Sequence, residues 1–249
     1  MSLEADIRSL ASRLESATRL TVLTGAGVSA GSGIPTFRGA DGLWKSFRAE
    51  ELATPEAFAR DPKTVWEWYD WRRQKIARAV PNRAHEVLAA WSRRFAGFAL
   101  VTQNVDGLHE RAGTQNVIRF HGSIWELSCW DGCGRKPWKD DRAPLDQLPA
   151  RCPECAGLAR PGVVWFGEPI DPEVLARSSQ AIECEICLVV GTSSIVYPAA
   201  ALVAQASSRG AFVAEINPEP GAGDVDLAIA GKAEEVLDRI ESLIGRESR

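Results

Sequence analysis

The stretch RLTVLTGAGVSAGSGIP, residues 19–35, decides the fold. RLTVLT (19–24) reads as a buried strand, and it runs straight into a glycine turn. In that turn Gly25, Gly27 and Ala30 fit the pattern G-x-G-x-x-A. Glycines after a strand permit a tight turn and a close approach of backbone N–H groups to a pyrophosphate at a helix start. Alone the pattern is weak, because glycine turns are common. It also departs from the ordinary dinucleotide unit: the next strand does not arrive until about residue 98, and no acidic residue ends a second strand nearby. A ribose partner is expected late instead, from Asn217 or Glu219 after AFVAEIN.

Outward from the turn, further strand candidates are FALVTQN (98–104), NVIRFHG (116–122), GVVWFG (162–167), ICLVVGTSS (186–194) and AFVAEIN (211–217). Helical spacing fills 83–95, 171–180 and 197–210, and the tail repeats apolar residues at Val236, Leu237, Ile240, Leu243 and Ile244. Strands alternating with helices predict an α/β fold, a parallel sheet with helices on both faces. Two segments break the rhythm. Residues 39–81 hold loop and helix but no good strand, and 124–161 are rich in Cys, Pro, Trp and charge. Both are read as inserts that form a small module beside a main domain of residues 1–38, 82–123 and 162–249.

The chain of 249 residues carries 45% hydrophobic and 25% charged residues at a net charge of −4. That balance supplies a core and provides no basic field for nucleic acid or an acidic membrane. Leu3, Ile7, Leu10, Ala11 and Leu14 make the first segment an amphipathic surface helix rather than a signal peptide. No apolar run reaches the length of a membrane span. A cytoplasmic monomer is expected.

The six cysteines fall into three close pairs. Cys129 and Cys133 flank WDG, Cys152 and Cys155 flank PE, and 18 residues separate the pairs. That spacing, in a segment with little core of its own, predicts one four-thiolate zinc site. Four protein ligands leave no open position for water, so the metal is structural. The third pair, Cys184 and Cys187, leads into an apolar strand and reads as buried free thiols.

The ordered set GAGVSAGSGIPTFRG (25–39), TQNVDGLHERAG (102–113), FHGS (120–123), the cysteine pairs, VVWFGE (163–168) and GTSSIVYPAA (191–200) resembles the sirtuins, NAD-dependent protein lysine deacylases. The resemblance spans about residues 19–233. It implies a Rossmann-like domain with a small zinc-binding and helical module, NAD consumed as co-substrate, and acylated-lysine proteins or peptides as partners. By resemblance Gly25, Ala26 and Gly27 line the pyrophosphate, Ser29 and Arg38 lie near phosphate and nicotinamide ribose, and Phe37 covers the reacting centre. Gln103, Asn104 and Asp106 surround the nicotinamide and its ribose; Gly191, Thr192, Ser193 and Asn217 hold the rest, with Ala233 near adenine. Val164, Trp165, Phe166 and Gly167 would pair their backbone with the substrate peptide. His121 is the base, Asn104 orients the ribose or a water, and His85 and His109 read as structural. The implied products are nicotinamide, free lysine and 2′-O-acyl-ADP-ribose.

VWEWYDWRRQK (65–75) gives this family reading its finer point. On a helix Tyr69 and Arg72 share a face. The Y-x-x-R pattern resembles the sirtuin subgroup that removes succinyl, malonyl and glutaryl groups, whose acyl chains end in a carboxylate. A guanidinium binds such a group bidentately while a phenol donates once more. Arg73 is expected to face water, and Trp66, Trp68 and Trp71 to pack. The alternatives are a deacetylase, an ADP-ribosyltransferase or a non-enzymatic NAD sensor.

Overall fold

β1 (Arg19–Thr24) is buried at every position after Arg19, as a strand between parallel neighbours requires. The computed structural model describes residues 2–36, 49–192, 199–221 and 225–244. β1 pairs in parallel with β2 (Gly97–Thr102) on one side and β7 (Ile186–Val190) on the other. Beyond β2 lies β3 (Val117–Arg119); beyond β7 lie β8 (Phe212–Asn217) and β9 (Leu227–Ala230). The six-stranded order β3-β2-β1-β7-β8-β9 reverses direction between β1 and β7. In open parallel sheets such a switch point opens a crevice at the carboxyl ends of the strands.

Alternate strand residues feed two apolar layers. Leu20, Val22, Leu188 and Val190 pack against α1 (Leu3–Ser16), α5 (Arg83–Arg94) and α9 (Ala233–Ile244) through Leu10, Trp91 and Leu237. Leu23, Val101 and Val189 face the other way, toward α7 (Pro172–Ala181) and α8 (Ala199–Ser208), with Ile182 and Leu202 in that layer. Two single-turn helices, α2 (Ala49–Leu52) and α6 (Leu108–Arg111), lie in the connections.

A second, antiparallel sheet has the order β5-β4-β6, formed by Trp138–Lys139, Gly122–Cys129 and Ala159–Val163. α3 (Pro55–Arg60) and α4 (Pro62–Arg78) cover it, burying Phe58, Trp66, Trp68 and Tyr69 against Ile124, Leu127 and Trp165. Asp61 caps α4 by accepting from Thr64 N at 3.0 Å, and Pro62 occupies the first turn where its missing N–H costs nothing. Among the described residues no helix is long and apolar enough to cross a membrane.

Several sequence expectations change here. The segment 124–161 holds most of a sheet. The strand expected at 162–167 ends at Val163, because the next N–H groups are taken elsewhere: Trp165 N donates to Glu168 Oε2 at 2.8 Å and Phe166 N to Ala53 O at 2.9 Å. Arg73 does not face water. It is fully buried, donating to Ile124 O at 2.6 Å, Asp140 O at 2.6 Å, Asp140 Oδ1 at 2.9 Å and Arg142 O at 2.8 Å. It fastens α4 to β4 and to the turn after β5. Trp71, expected to pack, is exposed, whereas Trp66 and Trp68 are buried.

Candidate active site

The loops leaving β1 and β7 meet at the switch point. Gly25 N donates to Val190 O at 3.1 Å and Gly27 N to Gly191 O at 2.8 Å. A Cβ on Gly27 would lie 2.8 Å from Gly191 Cα, so the glycine is needed first for this loop-to-loop approach. The segment that follows, Ala26–Ser32, is a 3₁₀ turn rather than the start of an α-helix.

Polar side chains from neighbouring strand ends close around that crevice. Ser29 is buried and its Oγ donates to Asp106 Oδ2 at 2.8 Å. Asn104 Nδ2 reaches Gly25 O at 3.0 Å and Ser29 Oγ at 3.3 Å. Burial pushes the Asp106 carboxyl up, while donors from Leu108 N and Ser29 oppose that shift. Gln103 Nε2 donates to Thr192 Oγ1 at 2.9 Å, and Asn217 Nδ2, at the end of β8, donates to Thr192 O at 3.0 Å. Ala233 opens α9 with its side chain in the core. Phe37, Arg38 and Ser193 lie outside the described residues.

His121 sits between β3 and β4, where the chain leaves the large sheet for the small one. Its Nδ1 lies 3.2 Å from Gln103 O. A carbonyl only accepts, so Nδ1 carries the proton and Nε2 keeps its lone pair. Burial lowers the pKa of this half-buried ring below 6.5, which keeps it neutral and able to take a proton near pH 7. Gly122, at φ +76°, could not be another residue: a Cβ there would meet Gly162 O at 2.3 Å. His85 and His109 are buried with ring centroids 4.8 Å apart, and burial pushes both down to about 3. His85 Nε2 lies 3.4 Å from Ser29 Oγ and His109 Nε2 lies 3.0 Å from Thr24 Oγ1, so one braces the 3₁₀ turn and the other the end of β1.

On the module side of the crevice, α4 presents Trp68, Tyr69 and Arg72 together. The Arg72 carbon Cζ stands 4.8 Å from the Trp68 ring centroid and 5.7 Å from that of Tyr69. Burial lowers the Arg72 pKa, and the neighbouring Tyr69 and Asp106 oppose that shift; a guanidinium in either case stays charged. Burial pushes the Tyr69 phenol up, so it keeps its proton. Val164 N donates to His121 O at 3.0 Å, so the segment Val164–Gly167 starts beside His121.

The four predicted zinc ligands come together. The Sγ atoms of Cys129, Cys133, Cys152 and Cys155 all lie within 4.8 Å of one another, with Cys129–Cys155 and Cys133–Cys152 each at 3.7 Å. A tetrahedral ion with Zn–S bonds of about 2.3 Å sets its ligand edges at roughly 3.8 Å, so the cluster fits a closed zinc site. Cys187 is buried and Cys184 half-buried.

Sequence reasoning missed Glu215. It is buried in β8, with both carboxylate oxygens 3.2 Å from Gly221 N and Oε1 3.4 Å from Asn217 Nδ2. A lone acid inside the apolar run AFVAEIN was the available signal.

A family model described as Sir2 family matches residues 25–198. This chain belongs to the Sir2 family. An NAD-dependent protein deacylase of Aquifex aeolicus is 54% identical over 201 residues, covering 80% of this chain and 83% of that one. NAD-dependent protein deacylase 2 of Pyrobaculum aerophilum is 46% identical over 243 residues, 96% of each chain. Among solved structures, a Sir2 homologue–NAD complex matches with a TM-score of 0.89 at 44% identity, over 97% of this chain and 94% of that one. A mutant Sir2 homologue in complex with ADP-ribose matches with a TM-score of 0.91 at 44% identity, over 96% and 97%. The sirtuin fold thus accounts for both sheets.

Proposed function

We infer that this chain is an NAD-dependent protein-lysine deacylase, and we propose that it prefers acyl groups ending in a carboxylate, succinyl and malonyl above acetyl. The observation that carries the finer reading is the grouping of a protonated, buried phenol and a half-buried guanidinium on one face of α4, at the module side of the crevice. The methyl end of an acetyl group offers neither of them a partner. A terminal carboxylate takes both, each charge-assisted contact contributing about 1.5–3 kcal/mol.

NAD is the co-substrate. In this reading Gly25, Ala26, Gly27, Ser29, Gln103, Gly191, Thr192 and Asn217 hold it along the carboxyl ends of the strands, Asp106 binds the nicotinamide amide, and Asn104 orients the ribose. His121 Nε2 takes a proton from a ribose hydroxyl, its ring aimed by the Nδ1 bond to Gln103 O. The substrate peptide lies along Val164–Gly167. The N–H groups of Val164, Trp165 and Phe166 are already engaged, so pairing uses the Gly167 N–H and the carbonyls of Val164 and Phe166. Zinc, held by Cys129, Cys133, Cys152 and Cys155, supplies no chemistry and fixes the module.

Matched peptides carrying acetyl-lysine or succinyl-lysine, each with NAD, test the reading by kcat/KM. The wild type should favour succinyl by tenfold or more, and Tyr69→Phe with Arg72→Met should lose that preference. Equal losses on both peptides would make the pair structural. Mass spectrometry should find O-acyl-ADP-ribose; protein carrying ADP-ribose in its place would point to a transferase.

A further inference from the structure

The indole of Trp165 donates from Nε1 to the Tyr69 hydroxyl at 2.9 Å, and both side chains are buried. An indole nitrogen donates and never accepts, so the phenol oxygen is the acceptor in this bond. A phenolic O–H lies near the ring plane and has two places to point. The proton of the incoming indole N–H repels the hydroxyl proton from its own side. The hydroxyl proton must take the other.

Trp165 itself is clamped. The Arg160 guanidinium lies 3.6 Å over its ring, and the Phe58 ring stands 5.3 Å away by centroids. Arg160 is held in turn by Glu168 through two bonds of 2.5 and 2.8 Å, and by Val163 O at 3.0 Å. The Glu168 oxygen Oε2 also accepts from Trp165 N at 2.8 Å. One carboxylate therefore fixes both the backbone of Trp165 and the cation on its face, in a chain from Glu168 through Arg160 and Trp165 to Tyr69.

We propose that Trp165 is a positioning residue for acyl specificity: by occupying the acceptor side of the Tyr69 oxygen it fixes that hydroxyl as a one-way donor, so that the site welcomes an acyl terminus that accepts hydrogen bonds. This rests on the acidic-acyl reading above. A rotatable hydroxyl would donate to a carboxylate or accept from an amide with equal ease. A locked one rejects a terminus that must donate. Burial keeps the Tyr69 proton in place by raising its pKa, so the polarity of the site does not change through neutral pH.

The test compares wild type, Trp165→Phe, Tyr69→Phe and the double variant on succinyl- and acetyl-lysine peptides. Tyr69→Phe should lower the succinyl-to-acetyl ratio of kcat/KM about tenfold. Trp165→Phe keeps a packing ring without the N–H. It should lower the ratio about three- to tenfold through KM for the succinyl peptide, with no further fall in the double variant. Additive effects in the double variant, or an unchanged ratio in a wild type that does prefer succinyl, would overturn the positioning role alone. A wild type without succinyl preference would overturn it together with the reading beneath it. Should Trp165→Phe fail to fold, benzothienylalanine in place of Trp165 keeps the ring shape and removes only the N–H: a lowered ratio supports the proposal and an unchanged one defeats it.

Discussion

The two sheets of this molecule are held by different means. The parallel sheet lies between two apolar layers, so each of its strands gains from many small, undirected contacts. The antiparallel sheet has one apolar cluster, weighted toward tryptophan, and depends on directed bonds for the rest: four cysteines clustered to hold a zinc ion, and one buried guanidinium spanning α4, β4 and the turn after β5. Undirected packing tolerates small displacements. Directed bonds fix a geometry and fail as units. The side of the crevice expected to discriminate among acyl groups is built in the second manner.

Removing the metal should separate the two most widely. Structural zinc contributes on the order of 10 kcal/mol or more in small metal-folded units. After chelation the amides of β4, β5 and β6 should lose protection from hydrogen exchange while those of β1, β7 and β8 keep theirs. Simultaneous loss in both sheets would show one cooperative unit and dissolve the contrast. Next in size is Arg73→Met, which leaves three buried carbonyls without the guanidinium and Asp140 with Arg142 as its remaining cation. Unsatisfied acceptors of this kind cost about 1–3 kcal/mol each, so the unfolding midpoint should fall. Arg72→Met, one residue away, should cost less than about 1 kcal/mol of stability and act on acyl preference instead. Equal midpoints for the two variants would remove the distinction between them.

The smallest effect concerns His121, at the junction. Its folded pKa is lowered, and as the proposed base it acts in the neutral form, so activity should be full above that pKa and fade as pH falls through it. The acid limb of kcat/KM should therefore lie below pH 6.5, the value of a solvated imidazole. A limb at or above 6.5 would mean that burial does not govern this ring.

Legibility in the sequence followed the same division. β1, β2, β7 and β8 are short apolar runs beside turn residues, and the helices over them keep a clear 3.6-residue period, so periodicity placed them within a few residues. The zinc ligands were readable from spacing alone. β4 and β5 were not, because Trp, Cys and charged residues share their faces with no clean alternation, and β6 alternates in burial but carries Pro161 and Gly162, which do not read as a strand. β9 is only four residues long. Arg73 is the instructive miss. Trp66, Tyr69, Arg73 and Ile76 fall at helical spacing and form one buried stripe, so the period itself pointed inward. The charge argued for water, and only the carbonyls of Ile124, Asp140 and Arg142, distant in sequence, reverse that argument. The hydroxyl-orienting role of Trp165 was likewise invisible, since it depends on a contact 96 residues away.

Only Phe120 and His121 separate the last residue of β3 from the first of β4. The imidazole is therefore mounted on a short pivot between two plates. A point on a pivot travels least when the plates swing, whereas Tyr69 on α4 and Thr192 beyond the end of β7 ride on the arms. Any closing of the two plates on a bound molecule would bring the arms to the histidine, and the proton acceptor would already be in place when they arrive.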